Sequence, residues 1–185
     1  MFYKGRLYWI LPLLLSSLVL PNMTSNIPVA SAQQDNANFL TYTNTDLGFT
    51  IKYPSGWTIA NVQTRPDSDI TEIKFSSPDK AFQVLVQVGN AGGLSFNDMS
   101  TFFSQHPDGR LLEFNSNNYL LSGHPAFRTI TIKSLDTTDF KFLAYGTVLA
   151  DKTYLVTYVA PEQRFADQLQ TGQSMIDSFQ IISKQ

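Results

Sequence analysis

Four acidic residues lie between positions 67 and 79, and carboxylates at short spacing are common Ca²⁺ ligands. Asp67 and Asp69 match the first and third positions of an EF-hand loop, and Glu72 and Asp79 follow them. Thr71 stands where such a loop needs an acidic or amide ligand, and Glu72 replaces the required glycine. The pattern is therefore more typical of a solvated loop. A weak surface site for Ca²⁺ or another divalent cation, formed by Asp67, Asp69, Glu72 and Asp79, is the alternative.

Tyr145, Tyr154 and Tyr158 form a second candidate site, because they fall on two consecutive predicted strands. A tyrosine places its ring in the apolar interior and its hydroxyl at the edge, so such a set most often belongs to a core. A ligand pocket between sheet and helix, lined by these three rings, is the alternative.

Residues for catalysis are scarce. His106 and His124 each precede a proline in a glycine-containing turn sequence, and their spacing is not one that metal ligands usually have. The sequence around Ser95 lacks the second glycine of a nucleophile elbow, so Ser95 is better explained as a helix cap. Cysteine is absent, which excludes thiol nucleophiles, disulfides and thiolate metal sites. We predict a protein that is not an enzyme, with no catalytic residues and no cofactor.

The first 32 residues have the features of a secretory signal peptide. Lys4 and Arg6 form a short basic start, Leu7–Leu20 is an apolar run, and Ala32 ends an A-x-A motif before Gln33. We predict cleavage between Ala32 and Gln33 and an extracytoplasmic location, secreted or in the cell envelope. The run is shorter than the roughly 20 residues that span a bilayer, so a permanent N-terminal membrane anchor is the alternative.

The charge balance argues against nucleic acid as a partner. The chain has 13 Lys and Arg and 15 Asp and Glu, and the predicted signal peptide contains two of those cations and no anion. The processed chain therefore has 11 cations against 15 anions, a formal charge of −4. Nucleic-acid binding requires a cationic surface, which this chain lacks.

After a polar tether, 33–38, one domain is expected over 39–185. Gly48–Tyr53 alternates apolar and polar residues, the period of a strand with one buried face. Tyr53–Gly56 contains the proline and glycine that a type I turn prefers. We therefore predict a hairpin here, with Trp57 opening the returning strand.

Five further strands follow from β-branched and aromatic runs, at Ile70–Phe75, Ala81–Val88, Ala126–Lys133, Phe140–Ala150 and Thr153–Ala160. The last two are separated by Asp151 and Lys152, a loop length that predicts an antiparallel hairpin. Several strands carry apolar residues on both faces, so the sheet must be covered on both sides.

Two helices are available to cover that sheet. Ser95 and Asp98 resemble a capping box for a helix that ends near Gln105. A second helix is expected directly after Ala160, with one apolar stripe along it formed by Phe165, Leu169, Ile176 and Phe179. The expected fold class is α/β (α+β): a single-domain α-β-α sandwich, an antiparallel sheet with helices on both faces.

The chain resembles the PsbP family, whose members include extrinsic subunits of photosystem II. The resemblance rests on Asp46–Trp57 (DLGFTIKYPSGW), preceded by Tyr42, and on Met175–Phe179 (MIDSF) after a tyrosine-rich strand. It implies an α-β-α sandwich that also occurs in a small Ran-binding protein, and an extracytoplasmic, non-catalytic role. It does not imply photosynthesis.

These observations predict a non-enzymatic exported module. It would bind, or help to assemble or stabilise, a membrane-associated protein complex on the extracytoplasmic face. We expect a monomer that is at most peripheral to the membrane after cleavage. The alternative is a protein of the cell envelope that binds a small molecule or a divalent cation.

Overall fold

The computed structural model describes residues 38–63 and 69–182. The predicted signal peptide, its cleavage site at Ala32 and Gln33, and nearly all of the tether lie outside these ranges. The strands are β1 Phe39–Asn44, β2 Phe49–Pro54, β3 Thr58–Gln63, β4 Thr71–Ser76, β5 Gln83–Asn90, β6 Arg110–Leu121, β7 His124–Leu135, β8 Thr138–Leu149, β9 Lys152–Pro161 and β10 Gln180–Ile181; the helices are α1 Phe96–Gln105 and α2 Leu169–Asp177.

The strands form two antiparallel sheets. Seven of them make the main sheet in the order β3-β4-β5-β9-β8-β7-β6, and β1-β2-β10 make a small sheet. The predicted strands and the β8–β9 hairpin are confirmed, with Ala150 and Asp151 at positive φ in its tight turn. The antiparallel sheet of the predicted fold is therefore confirmed.

The predicted pairing of the strands on either side of Tyr53–Gly56 is wrong. β2 pairs with β1, whereas β3 pairs with β4 in the other sheet. A turn forms one residue later than predicted, over Pro54–Trp57, since Trp57 donates its backbone N–H to the Pro54 carbonyl at 2.9 Å. Its function is to carry the chain from the small sheet to the main sheet.

One face of the main sheet, the first face, carries the larger core. Val84, Val86, Val156 and Tyr158 belong to it, and they join residues of the small sheet and of α2 in one buried cluster. Phe49 and Ile51 of β2 are fully buried there, which confirms the predicted alternation in this strand. The small sheet and α2 thus cover this face together.

Residues of opposite parity form the second face, against which α1 packs. Met99, Phe102 and Phe103 of α1 cluster with Ala144 and Leu155. These two strand residues are next in sequence to first-face residues, so their side chains point to the opposite face. The predicted capping box is confirmed: Ser95 accepts the Asp98 backbone N–H at 3.2 Å, and Asp98 accepts the Ser95 N–H at 2.9 Å.

The predicted cover of two helices is shown only in part. Both helices are present, but β1, β2 and β10 contribute to the cover of the first face, and α1 packs on residues of β7, β8 and β9 on the second face. The second helix also begins at Leu169, later than predicted. After Pro161 the chain first forms a 3-10 turn at Glu162–Arg164 and further turns to Gln168. Its apolar stripe faces the core as predicted.

Close contacts at two glycines generate a stability prediction. A Cβ on Gly172 would lie 2.5 Å from Tyr158 Cδ2, and one on Gly146 would collide with the Phe127 ring. Both rings are fully buried and cannot move aside. Gly172→Ala and Gly146→Ala are therefore expected to lower the free energy of unfolding by about 1–3 kcal/mol each, measured by denaturant unfolding.

Gly56→Ala is the matched control. Its nearest neighbour would be Pro78 Cγ at 4.0 Å, and Gly56 does not have a positive φ. Its free energy of unfolding should stay near that of the parent chain. Equal losses in all three variants would show that α2 and β8 are not packed as described.

Candidate docking surface at strand β6

Among the strands of residues 38–63 and 69–182, β6 lies at one edge of the main sheet and pairs with β7. Its register slips between Leu111 and Glu113 and again between Asn115 and Tyr119. Leu120 is 64% exposed, the largest exposure among the large apolar side chains described, and Leu112 is 44% exposed. An edge strand with unpaired backbone groups and exposed leucines is a natural place for another chain to bind.

Residues of β6, β7 and β8 also form a polar cluster, which we call the Arg128 cluster. Arg128 donates to the Glu113 carboxylate, and its guanidinium carbon lies 5.6 Å from the centre of the Tyr119 ring. The Tyr119 and Tyr145 rings meet edge to face at 5.6 Å. Arg128 is only 18% exposed at its side chain, whereas Glu113 is 42% exposed.

Electrostatics keeps this cluster in defined charge states. Burial disfavours the charged form of Arg128, but the hydrogen bond and charge of Glu113 outweigh it and raise its pKa. Burial also raises the pKa of Tyr145, although Arg128 and Gln173 oppose the shift. At neutral pH the cluster therefore holds a charged Arg128 and a protonated Tyr145.

The three predicted pocket tyrosines all lie in the first-face core. Tyr158 donates its hydroxyl to the Phe165 carbonyl at 3.0 Å, and the Tyr154 hydroxyl is 3.5 Å from the Leu47 carbonyl. Tyr145 alone of the three joins the Arg128 cluster. A ligand pocket lined by all three stays a prediction.

The predicted cation ligands are placed apart where the structure describes them. Asp69 is exposed just before β4, Glu72 is buried within β4, and Asp79 follows β4 at its other end. Glu72 accepts a hydrogen bond from Gln87 Nε2 at 2.7 Å, and Asp79 forms an ion pair with Arg164 at 3.2 Å. Asp67 lies outside the described residues, so the cation site stays a prediction.

His106 and His124 also have local structural surroundings. The His106 ring stacks on Phe102 at the end of α1, and His124 is the first residue of β7. Within residues 38–63 and 69–182, no three His, Asp or Glu side chains come together as a metal site.

A cavity of about 480 Å³ opens between the β7–β8 turn and the 3-10 turn. Polar side chains line it, among them Asp136, Asp139, Glu162 and Arg164. The Arg164 guanidinium forms ion pairs with Asp79 and Asp167, which lie outside the cavity lining.

The sequence matches the model of a family described as PsbP-like protein over residues 20–181. The chain belongs to the PsbP-like family. No curated protein sequence matches it.

Solved structures support the fold of this PsbP-like chain. A Bacteroides thetaiotaomicron protein matches with 11% identity and a TM-score of 0.53 over 78% of this chain, which spans about half (48%) of that protein. The Saccharomyces cerevisiae Ran-binding protein Mog1p matches with 10% identity and a TM-score of 0.51, over 80% of this chain and 97% of Mog1p. LpqN, involved in cell envelope biogenesis of Mycobacterium tuberculosis, matches with 9% identity and a TM-score of 0.52, over 81% and 87%.

The described part of the PsbP-like chain contains no helix long and apolar enough to cross a membrane. The stretch Leu7–Leu20, which the sequence offered as a possible anchor, lies outside it.

Sequence reasoning missed β6 and the Arg128 cluster. Asn115–Asn118 (NSNN) has the composition of a loop, and it interrupts two short apolar runs that would otherwise indicate a strand. Those runs, Leu111–Leu112 and Tyr119–Leu121, were the available signal. The Arg128–Glu113 pair depends on the slipped register and has no sequence signature.

Tyr158 generates a prediction for alkaline pH. Burial, with a smaller contribution from the Asp167 charge, raises its pKa above the ordinary value of about 10. The native state therefore keeps this proton at pH values where the unfolded chain loses it, and stability falls as pH rises above about 10.

Tyr158→Phe removes that proton and should flatten the fall in the free energy of unfolding above pH 10, measured by urea unfolding at several pH values. At neutral pH the variant should lose about 1 kcal/mol, because the Phe165 carbonyl loses its donor. A variant whose curve above pH 10 runs parallel to that of the parent would contradict the assignment.

Proposed function

We propose that the protein is a non-enzymatic, extracytoplasmic module that binds a membrane-associated protein complex through strand β6. The observation that carries this proposal is the position of β6 at the edge of the described main sheet, with Leu112 and Leu120 exposed on it. The partner would supply an extended segment with apolar side chains. Its backbone would pair with β6, and its side chains would cover Leu112 and Leu120.

The chemistry of the surface suits protein binding. Tyrosine and arginine are enriched where protein partners contribute most binding energy, and Tyr119 and Arg128 lie together here. Arg128 is already neutralised by Glu113, so binding does not require a strongly charged partner. The two register slips divide the edge into short segments, which disfavours uncontrolled pairing of β6 with other copies.

Family membership and the N-terminal sequence support the location. The sequence before residue 33 has the pattern of a signal peptide, and the PsbP family includes extrinsic subunits of a membrane complex. LpqN, which shares the fold, is involved in cell envelope biogenesis. Outside the membrane, a module without catalytic groups would contribute by holding parts of a complex together.

Photo-crosslinking from β6 in intact cells tests the proposal. A photoreactive amino acid at Leu120 or Leu112 should give an adduct with a membrane-associated protein, identified by mass spectrometry. The matched control position is Ile59, which is 37% exposed on β3 at the opposite edge of the main sheet. It should give little or none of the same adduct.

A second variant connects the adduct to the surface. Leu120→Lys should reduce the adduct formed from position 112, because a lysine ammonium would have to be desolvated in the contact. Equal adducts from positions 59 and 120, or no membrane-protein adduct from either leucine, would refute docking through β6.

A further inference from the structure

Strand β3 lacks the features that normally keep an edge strand from pairing with another chain. Among the described strands it lies at the edge of the main sheet opposite β6, and its register with β4 is regular from Thr58 to Gln63. Its sequence, TIANVQ, contains no charged residue and no proline. Edge strands usually carry such residues, or a bulge, as protection against pairing. Strand β6 has two register slips and the charged residues Arg110 and Glu113, so the two edges differ in this respect.

The side chains of β3 are also accessible. Thr58, Ile59, Ala60 and Asn61 are all exposed, and Val62 is half-buried. Threonine, isoleucine and valine have high strand propensity, so this segment suits extended pairing. An edge strand presents a row of unpaired N–H and C=O groups. An exposed and uncharged one is therefore a template for a further strand.

An apolar rim lies beside this edge, where the two sheets meet. Leu40 of β1 is 46% exposed and lies opposite Tyr53, and Ile59 is 37% exposed and lies opposite Phe75. The centres of the Tyr53 and Phe75 rings are 5.4 Å apart. Residues directly opposite each other in an antiparallel pair point to the same side, so Leu40 and Ile59 border the same part of the first-face core. A strand added to β3 would extend this rim and bury part of Ile59.

We propose that β3 pairs with β3 of a second copy of this chain in an antiparallel homodimer. A two-fold axis relates the two copies, so the strand is its own partner and the interface is closed. Residues opposite each other must share a face of the sheet, so either Ala60 or Asn61 lies beside the axis, opposite its own copy. The main sheet then continues from one copy into the other. This dimer replaces the monomer expected from the sequence.

The absence of charge favours a second copy as the partner. Self-pairing brings identical residues together near the axis, where like charges would repel. Strand β3 has no charge, and the charge on β4 nearest the axis is that of Lys74, opposite Ala60. With strands about 4.8 Å apart, the two copies of Lys74 are at least about 14 Å from each other, beyond the screening length of about 8 Å at physiological ionic strength.

The contact is small, so the dimer should be reversible. A pair of six-residue strands, each roughly 17 Å long, is a smaller contact than the standard protein interface of about 1,600 Å². We therefore expect association that increases with protein concentration. The dimer is independent of docking at β6, because it uses the opposite edge and requires no membrane.

Sedimentation velocity of the purified protein over a wide range of concentrations tests this. The average mass should rise from that of one copy towards twice that value. Ala60→Lys should abolish the rise, because it places two ammonium groups near the axis. Leu120→Lys is the matched control, since it adds the same charge on β6, and its mass should follow the parent curve.

A charge-reversed variant separates a lost contact from a lost fold. Ala60→Lys and Ala60→Glu should each be monomeric alone, and mixing them should restore the dimer. A parent protein with the mass of one copy at every concentration would overturn the proposal. An Ala60→Lys curve that matches the parent, or an equal loss in Leu120→Lys, would overturn it too. If mixing fails to restore the dimer, disulfide formation decides.

Single cysteines locate the contact, because the chain contains none of its own. Under mild oxidation, Ala60→Cys or Asn61→Cys should give a disulfide-linked dimer, according to which residue lies beside the axis. Asn117→Cys is the control, since this position is exposed on β6, and it should stay monomeric. No disulfide at either β3 position, or equal formation at position 117, would overturn the proposal.

Discussion

The close approach of α2 to strand β9 is the contact on which the first face depends. Tyr158 is fully buried beneath Gly172, where any side chain would collide with its ring. Its hydroxyl donates to the Phe165 carbonyl, and its ring packs on Phe165 at 4.9 Å. Tyr158 of the sheet thereby fixes the position of Phe165, just before α2, and the distance between α2 and β9.

Other contacts join the small sheet to the same core. Lys152 donates to the Leu47 carbonyl at 3.0 Å, and Ser178 Oγ, just after α2, accepts the Lys52 backbone N–H at 2.9 Å. Phe49 stacks on Phe179 at 5.4 Å. Both ends of the described chain are thus held on the first face. At the edge of the described main sheet, β6 leaves Leu112 and Leu120 exposed, which is why we place binding there.

Elements with strong local signals were predicted well from the sequence. The alternation in β2, the valine-rich β5 and the Ser95–Asp98 capping box each depend on a few neighbouring residues. Pairing was harder to predict. A proline turn between two strands normally indicates a hairpin, but here Trp57 is buried in the core and the next strand joins the other sheet.

The candidate site was less predictable for the same reason. Arg128 and Glu113 meet across a slipped register, which no local pattern encodes. The acidic residues that looked close in sequence are separated by the length of β4, since a six-residue strand is roughly 17 Å long. Spacing along the chain is a guide to a site only when the residues share a turn or a helix face.

Amide hydrogen exchange of the processed protein, with and without membranes from its own cells, tests whether the protein docks through β6. Docking through β6 predicts slower exchange in Arg110–Leu121 when membranes are present, with β3 at the opposite edge unchanged. Unchanged exchange in β6, or equal protection of both edges, would contradict a binding surface on this strand.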